Sequence, residues 1–205
     1  GIPERRLALL QETRRMTAVA MRATPLPLQR QLTWWALALP AIMFVALLRH
    51  DLRLLNWTHV LAGMLWTGAD IFMGFILGPV LRRLEIPQRT AVIAYLVPRT
   101  LLYFPAVSLT TSTAGWFLAS WLGYTDPANA LFPWIVTALV LITLMTVLGL
   151  GVMLPNSLRI WLELHKPEPD RALITGLNRY NIINAAAQGV MQIAIVVVMA
   201  HIVTG

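Results

Sequence analysis

Five apolar runs govern what this chain can become: 32–48, 54–81, 100–122, 131–154 and 182–203. A helix needs about 20 predominantly apolar residues to cross roughly 30 Å of hydrocarbon, and these runs are of that order. In hydrocarbon, backbone N–H and C=O groups find partners only within helices or closed barrels. Unbroken apolar runs, rather than strictly alternating ones, select the helix. The expected fold is therefore all-α, a polytopic membrane bundle of about five transmembrane helices. The run at 131–154 is the most apolar and carries no charge.

The remainder of the composition supports this. Only 12% of the 205 residues are charged, against about 25% in soluble domains. There is no cysteine, so disulfides, thiolate metal sites and thiol redox chemistry are excluded. A net charge of +7 in a soluble protein would point to nucleic acid. Here the basic residues flank the apolar runs, where anionic lipid is the natural counter-charge, and no nucleic-acid partner is expected.

The segment ERRLALLQETRRMTAVAMR at 4–22 mixes Leu and Val with five arginines. It reads as an amphipathic helix on the membrane surface, with a solvated tail as the alternative. A Pro-broken linker at 24–31 follows. The first apolar run comes after some thirty residues and is read as a retained span, not a signal peptide. The expected organisation is thus an N-terminal cytoplasmic segment, 1–31, and a five-helix transmembrane domain, 32–205. The longest loop, 156–180, is expected to hold one short interfacial helix ended by Lys166-Pro167.

Orientation follows from the cations. Fourteen of the sixteen Lys and Arg residues fall before span one, between spans two and three, or between spans four and five; only Arg49 and Arg53 fall on the other side. By the positive-inside rule the N-terminus is cytoplasmic and the C-terminus periplasmic, in a bacterial inner membrane. No loop is long enough to fold as a separate domain, so any chemistry lies within the membrane, at its interfaces or on a partner.

Two ionisable groups, His59 and Asp70, lie inside the second run. At 100° per residue, Gly63, Trp66, Asp70 and Gly74 all fall within about 60° of His59. Eleven residues separate His59 from Asp70, about 16 Å along the axis, so the two cannot touch. Asp70 lies near the bilayer midplane, where a charge costs roughly 2.5–3.5 kcal/mol even on lenient scales. It is expected to be buried, either as a structural carboxyl bonded to a Thr, Ser or Asn of another span, or as part of a proton or ligand path. Span five offers candidate partners for Asp70: Asn181, Asn184, Gln188 and Gln192 recur at helical spacing, a stripe of the kind that also holds membrane helices together. Ser108, Thr110, Thr111, Ser112 and Thr113 in span three can bond back to their own helix. His201 lies at a depth similar to His59, so the two imidazoles could ligate one haem iron, although His201 points away from the amide stripe. Small Gly63 would admit a flat macrocycle and Trp66 would pack on it. The structural alternative is a His59 bonded to a backbone carbonyl.

The stretch THVLAGMLWTGADIFMGFILGPVLRR resembles an early helix of small bacterial membrane families, among them the HemJ-type protoporphyrinogen oxidases and the CopD copper-resistance membrane proteins. The shared elements are a His followed by two hydrophobic residues and Ala, then a Trp seven residues after the His and a Gly two further on, and the GP-x-L-R-R ending, covering about 57–83. The resemblance implies that His59 is a haem ligand. The chain's only lysine, Lys166, is placed in a loop, unlike the lysine-bearing second helix of the HemJ type. The leading expectation is an inner-membrane protein binding haem b through His59, with Gly63, Trp66 and His201 around the cofactor, in a redox or haem-related role. A non-catalytic subunit of a larger membrane complex is the second class, and metal or small-solute transport the third.

Overall fold

A computed structural model describes residues 28–204, and the expected surface helix at 4–22 lies outside them. Among the described residues every regular element is helical. Leu28–Gln31 is a single turn grouped with the preceding unit; everything from Leu32 onward forms one compact unit.

That unit contains α1 (Trp34–Leu48), α2 (Leu52–Arg83), α3 (Ile86–Trp121), α4 (Phe132–Leu164) and α5 (Arg171–Thr204). The last four are long and apolar enough to cross a membrane, so the protein is a multi-pass membrane protein. The first of the five expected spans is shorter than the others: a 4-residue 3₁₀ turn leads into an 11-residue α-helix. At 1.5 Å per residue that is about 22 Å, less than the hydrocarbon thickness.

The helix ends explain the order. Asp51 caps α2 by accepting from the Leu54 amide at 3.0 Å, as an N-cap carboxylate should. At the far end, Arg89 donates to the carbonyls of Leu81 (2.7 Å), Leu84 (3.0 Å) and Arg82 (3.2 Å), at the closing turn where helical carbonyls run short of amide partners. Glu85 and Gln88 form a reciprocal capping box that opens α3. Gly123, at φ +72°, closes α3 in the left-handed conformation that glycine accepts without strain. Asp170 caps α5 through the Ala172 and Leu173 amides, and its own amide is held by the buried Glu163, which also pairs with Lys166.

Three expected boundaries move, two of them because prolines that read as breaks are absorbed. The third span starts at Ile86, with Pro98 and Pro105 inside a 36-residue helix. The fourth does not stop at 154. It passes through a π-helical turn, Gly149–Met153, and continues as Leu154–Leu164. The expected short interfacial helix of the 156–180 loop is this extension, and the fifth span begins at Arg171 rather than near 182. In α2 a second π turn, Phe72–Leu77, precedes Pro79. A proline removes one N–H and crowds the carbonyl four residues back. A π turn widens the helix just there, which lets both Pro79 and Pro155 stay inside continuous helices.

Contacts between named pairs fix the directions. His59 meets Thr111 and Tyr103 meets Leu65, so α2 and α3 are antiparallel. Asp70 meets Gln192, and Gly78 abuts Ile182, so α2 and α5 are antiparallel. Gln188 meets Met145 and Asn181 meets Ser157, so α4 and α5 are antiparallel. The α2–α3 and α4–α5 turns, which carry most of the arginines among the described residues, therefore lie at the same end of the bundle. That end is called the basic end below.

Candidate functional site

The centre of the bundle is built where α2 and α5 come closest. Gly74 packs directly on Ala186: a Cβ at Gly74 would lie 2.6 Å from the Ala186 Cα. One turn on, a Cβ at Gly78 would lie 2.5 Å from the Ile182 Cγ2. GFILG at 74–78 is thus a G-x-x-x-G contact, the small-residue pattern that lets membrane helices approach backbone to backbone. It was overlooked in the sequence because Gly74 was grouped with Gly63 by angle instead of with Gly78 by spacing.

This approach delivers Gln192 to Asp70. Gln192 Nε2 donates to Asp70 Oδ2 at 2.7 Å. Asp70 is fully buried, and its Oδ1 has no hydrogen-bond partner. The Trp66 indole, one turn away on the same helix, interacts with the carboxyl but leaves Oδ1 unsatisfied. No cation among the described residues pairs with Asp70: the single ion pair there is Glu163–Lys166.

Asp70 borders a cavity of about 60 Å3. A buried water needs roughly 10–15 Å3 by this kind of measure, so several fit. The cavity extends toward the basic end, past Ser108, Thr100 and Gln188 to Ser157, Asn181 and Asn178. In the opposite direction it is closed by a dry cluster of Leu39, Ala62, Trp66, Val107 and Met145. Both π turns border it, one through Met73 and the other through Gly149, Leu150 and Met153.

The amide stripe is real but is not quite the expected set. Gln188 and Gln192 are buried, as is Asn181. Gln188 Nε2 donates to the Met145 carbonyl at 3.3 Å. Asn181 Nδ2 donates to the Met153 carbonyl and to Ser157 Oγ, at 3.2 and 3.0 Å. These bonds tie α5 to α4 on either side of the Gly149–Met153 turn. Asn184, expected to be buried, is only half-buried and donates to the Tyr180 carbonyl of its own helix. Asn178, not singled out in the sequence, is buried in its place. Six of the eight buried positions of α5, 174, 178, 181, 185, 188 and 192, form one seam, and Asn184 lies about 80° from its centre. Thr110, Thr111 and Ser112 bond back to carbonyls four residues earlier, as expected.

His59, Gly63 and Trp66 share a face, but a neighbouring helix fills it. His59 Nδ1 lies 2.9 Å from the Thr111 carbonyl, an arrangement that fixes the ring tautomer. Its ring rests on Gly115, where a Cβ would be 2.7 Å from Cε1. A Cβ on Gly63 would touch the Thr111 methyl at 3.5 Å, and Trp66 sits in the dry cluster. The glycines that seemed to make room for a macrocycle make room for α3, so these residues do not fit a haem at this face. His201 is exposed and lies against Trp134, ring centroids 3.9 Å apart. Among the described residues no group of three or more His, Cys, Asp or Glu side chains could hold a metal ion. Compared with protein-family models, with curated proteins and with solved structures, the chain matches none.

Proposed function

We propose that this membrane protein binds a small hydrogen-bonding solute at Asp70, inside the bundle, and belongs to the transport class. The observation that carries the reading is the fully buried Asp70 with one unsatisfied carboxyl oxygen on a cavity lined by polar side chains. A carboxyl at the centre of a membrane helix costs several kcal/mol, and such residues mark substrate, ion or proton pathways. An amide would hold α2 to α5 equally well at less cost, so helix adhesion alone does not account for an acid. The two π turns in the cavity wall add support, since such turns recur at functional sites. Access is from the basic end. A bacterial inner membrane with that end in the cytoplasm is part of the same proposal, and it rests on the asymmetry of the basic residues.

The absence of cysteine makes the test direct. Single substitutions Ser108→Cys and Ser157→Cys place a thiol on the cavity; Ala62→Cys and Ala114→Cys place one in dry packing. A small neutral thiol reagent attacks only where water supports the thiolate. The cavity positions are expected to react about ten times faster or more than the dry ones. Equal protection at all four would remove the hydrated cavity and the reading with it.

The haem b reading through His59 makes a different demand. On the present reading the purified protein from haem-replete cells shows no Soret band. A b-type band that disappears in His59→Ala and survives in His165→Ala would restore haem and displace the solute site.

A further inference from the structure

A second cleft lies at the basic end, between the closing turn of α2, Arg89 at the start of α3 and the first turns of α5. It encloses about 40 Å3 and is lined by Arg82, Arg89, Thr175, Asn178 and Arg179, with Ile182 among the apolar residues at its base. No acidic residue lines it. We infer that this cleft binds a phosphate-type oxyanion, either the headgroup of an anionic phospholipid or free phosphate.

The side chains present an excess of donors: three guanidiniums that only donate, beside a hydroxyl and an amide that can donate. Three arginines converge, and guanidinium groups match phosphate oxygens two at a time. Arg89 spends its Nε and Nη2 on carbonyls of the α2–α3 turn, which fixes the group in place. Arg82 and Arg179 make no side-chain hydrogen bond or ion pair among the described residues.

Thr175 supplies an independent observation. Thr58, Thr90, Thr110, Thr111, Thr137 and Thr143 all donate to the carbonyl four residues earlier. Thr175 does not: its Oγ1 is buried and has no partner. Asn178, one turn further along α5, is 6% exposed, and its amide makes no bond within the described residues. A membrane helix ordinarily satisfies such groups, because unpaired polar groups at this depth are costly. Here the Thr175 hydroxyl is left unpaired, on a residue that lines the same cleft as the two uncommitted guanidiniums. A cation would meet three positive charges and no carboxylate, whereas an oxyanion meets the guanidiniums as well as the hydroxyl and amide donors. The volume holds about three water-sized groups, enough for three of a phosphate's four oxygens.

This inference does not rest on the Asp70 reading. The two sites are neighbours, however: Asn178 and Ile182 line both, so an anion here would stand at the cavity's basic end and offset the positive charge around it.

The test uses the full chain purified in a neutral detergent. Affinity is measured by the rise in Tm on adding inorganic phosphate, or short-chain phosphatidylglycerol, with phosphatidylcholine and chloride as comparisons. A charge-assisted hydrogen bond is worth about 1.5–3 kcal/mol, so Arg179→Gln and Arg82→Gln are each expected to weaken the anion's affinity about tenfold or more. Thr175→Val should weaken it and Thr175→Ser restore it. Arg83→Gln removes the same charge at the same end, outside the cleft, and should leave affinity unchanged. Each variant's Tm without anion shows that it folds. Response to phosphatidylglycerol alone assigns the lipid; response to inorganic phosphate with the same variant pattern assigns the free anion. No response to either, or an equal loss in Arg83→Gln, overturns the inference.

Discussion

Gly74→Ala is expected to disrupt the bundle, while Gly68→Ala in the same helix leaves it intact or slightly stabilises it. At Gly74 an added Cβ would lie 2.6 Å from the Ala186 Cα and 2.7 Å from its amide nitrogen, both backbone atoms. No rotamer relieves that, so α2 and α5 must separate by on the order of 1 Å to reach ordinary carbon contact distances. The separation does not stay local. The same helix pair holds Gln192 Nε2 on Asp70 Oδ2 at 2.7 Å, a bond lost at about 1 Å more. Overpacking typically costs about 1–3 kcal/mol, and the stranded carboxylate adds about 1–3 kcal/mol. At Gly68 a Cβ meets nothing within 4 Å, and Ala is favoured over Gly in a helix by about 1 kcal/mol. Thermal unfolding in detergent reads both. Equal Tm values for the two variants would mean that the close approach of α2 and α5 is not present in solution.

The long spans were legible because apolar length leaves little choice. In lipid a chain of such residues satisfies its backbone as a helix or not at all, and α2 through α5 all follow from that. Ends next to a proline were less legible, because proline in a membrane helix is weak punctuation. Pro98 and Pro155 each look like a boundary, yet each lies inside a helix, the second beside a π turn. Sequence periodicity assumes a constant 3.6 residues per turn, and a π turn shifts everything beyond it.

The site divided along similar lines. That Asp70 would be buried followed from the cost of charge in hydrocarbon. That its partner would be Gln192, out of the four span-five amides and the Thr and Ser hydroxyls on offer, did not, because the choice depends on how far Gly74 and Gly78 let α5 slide toward α2. Asn184 and Asn178 exchanged roles because the contact face of α5 repeats as a 4-3-4-3 seam, and a stripe started at Asn181 with a step of three picks the wrong neighbour. Of the two readings open for His59, the structure shows the bond to a backbone carbonyl, and the sequence did not choose between them for a more general reason. A small residue on a membrane helix marks a close approach, but the sequence does not say whether a cofactor or another helix makes it. Gly63 and Gly115 are both taken up by the α2–α3 contact.

Asp70→Leu is expected to be strongly destabilising, and Asp70→Asn nearly neutral. Asparagine keeps the shape and an oxygen that can accept from Gln192, and its new N–H groups can point into the cavity where Oδ1 now lacks a partner. Leucine has neither. It leaves the Gln192 amide, 3% exposed, without its acceptor, which costs about 1–3 kcal/mol. Gln192→Leu alone should be comparably costly, since it strands the carboxyl. The decisive measurement is the pair. When both members of a buried hydrogen bond become apolar, no group is left unsatisfied, and such replacements are often close to neutral. Asp70→Leu with Gln192→Leu should therefore regain about half or more of the Tm lost by either single variant, a coupling of about 1–3 kcal/mol in a double-mutant cycle. Additive losses would show that the two side chains do not share a bond. Recovery of stability also separates folding from function: the double variant would be well folded with no carboxyl on the cavity. Solute binding lost in that variant and retained in Asp70→Asn would assign the binding role to a hydrogen-bonding group at position 70. Binding lost in both would assign it to the acid itself.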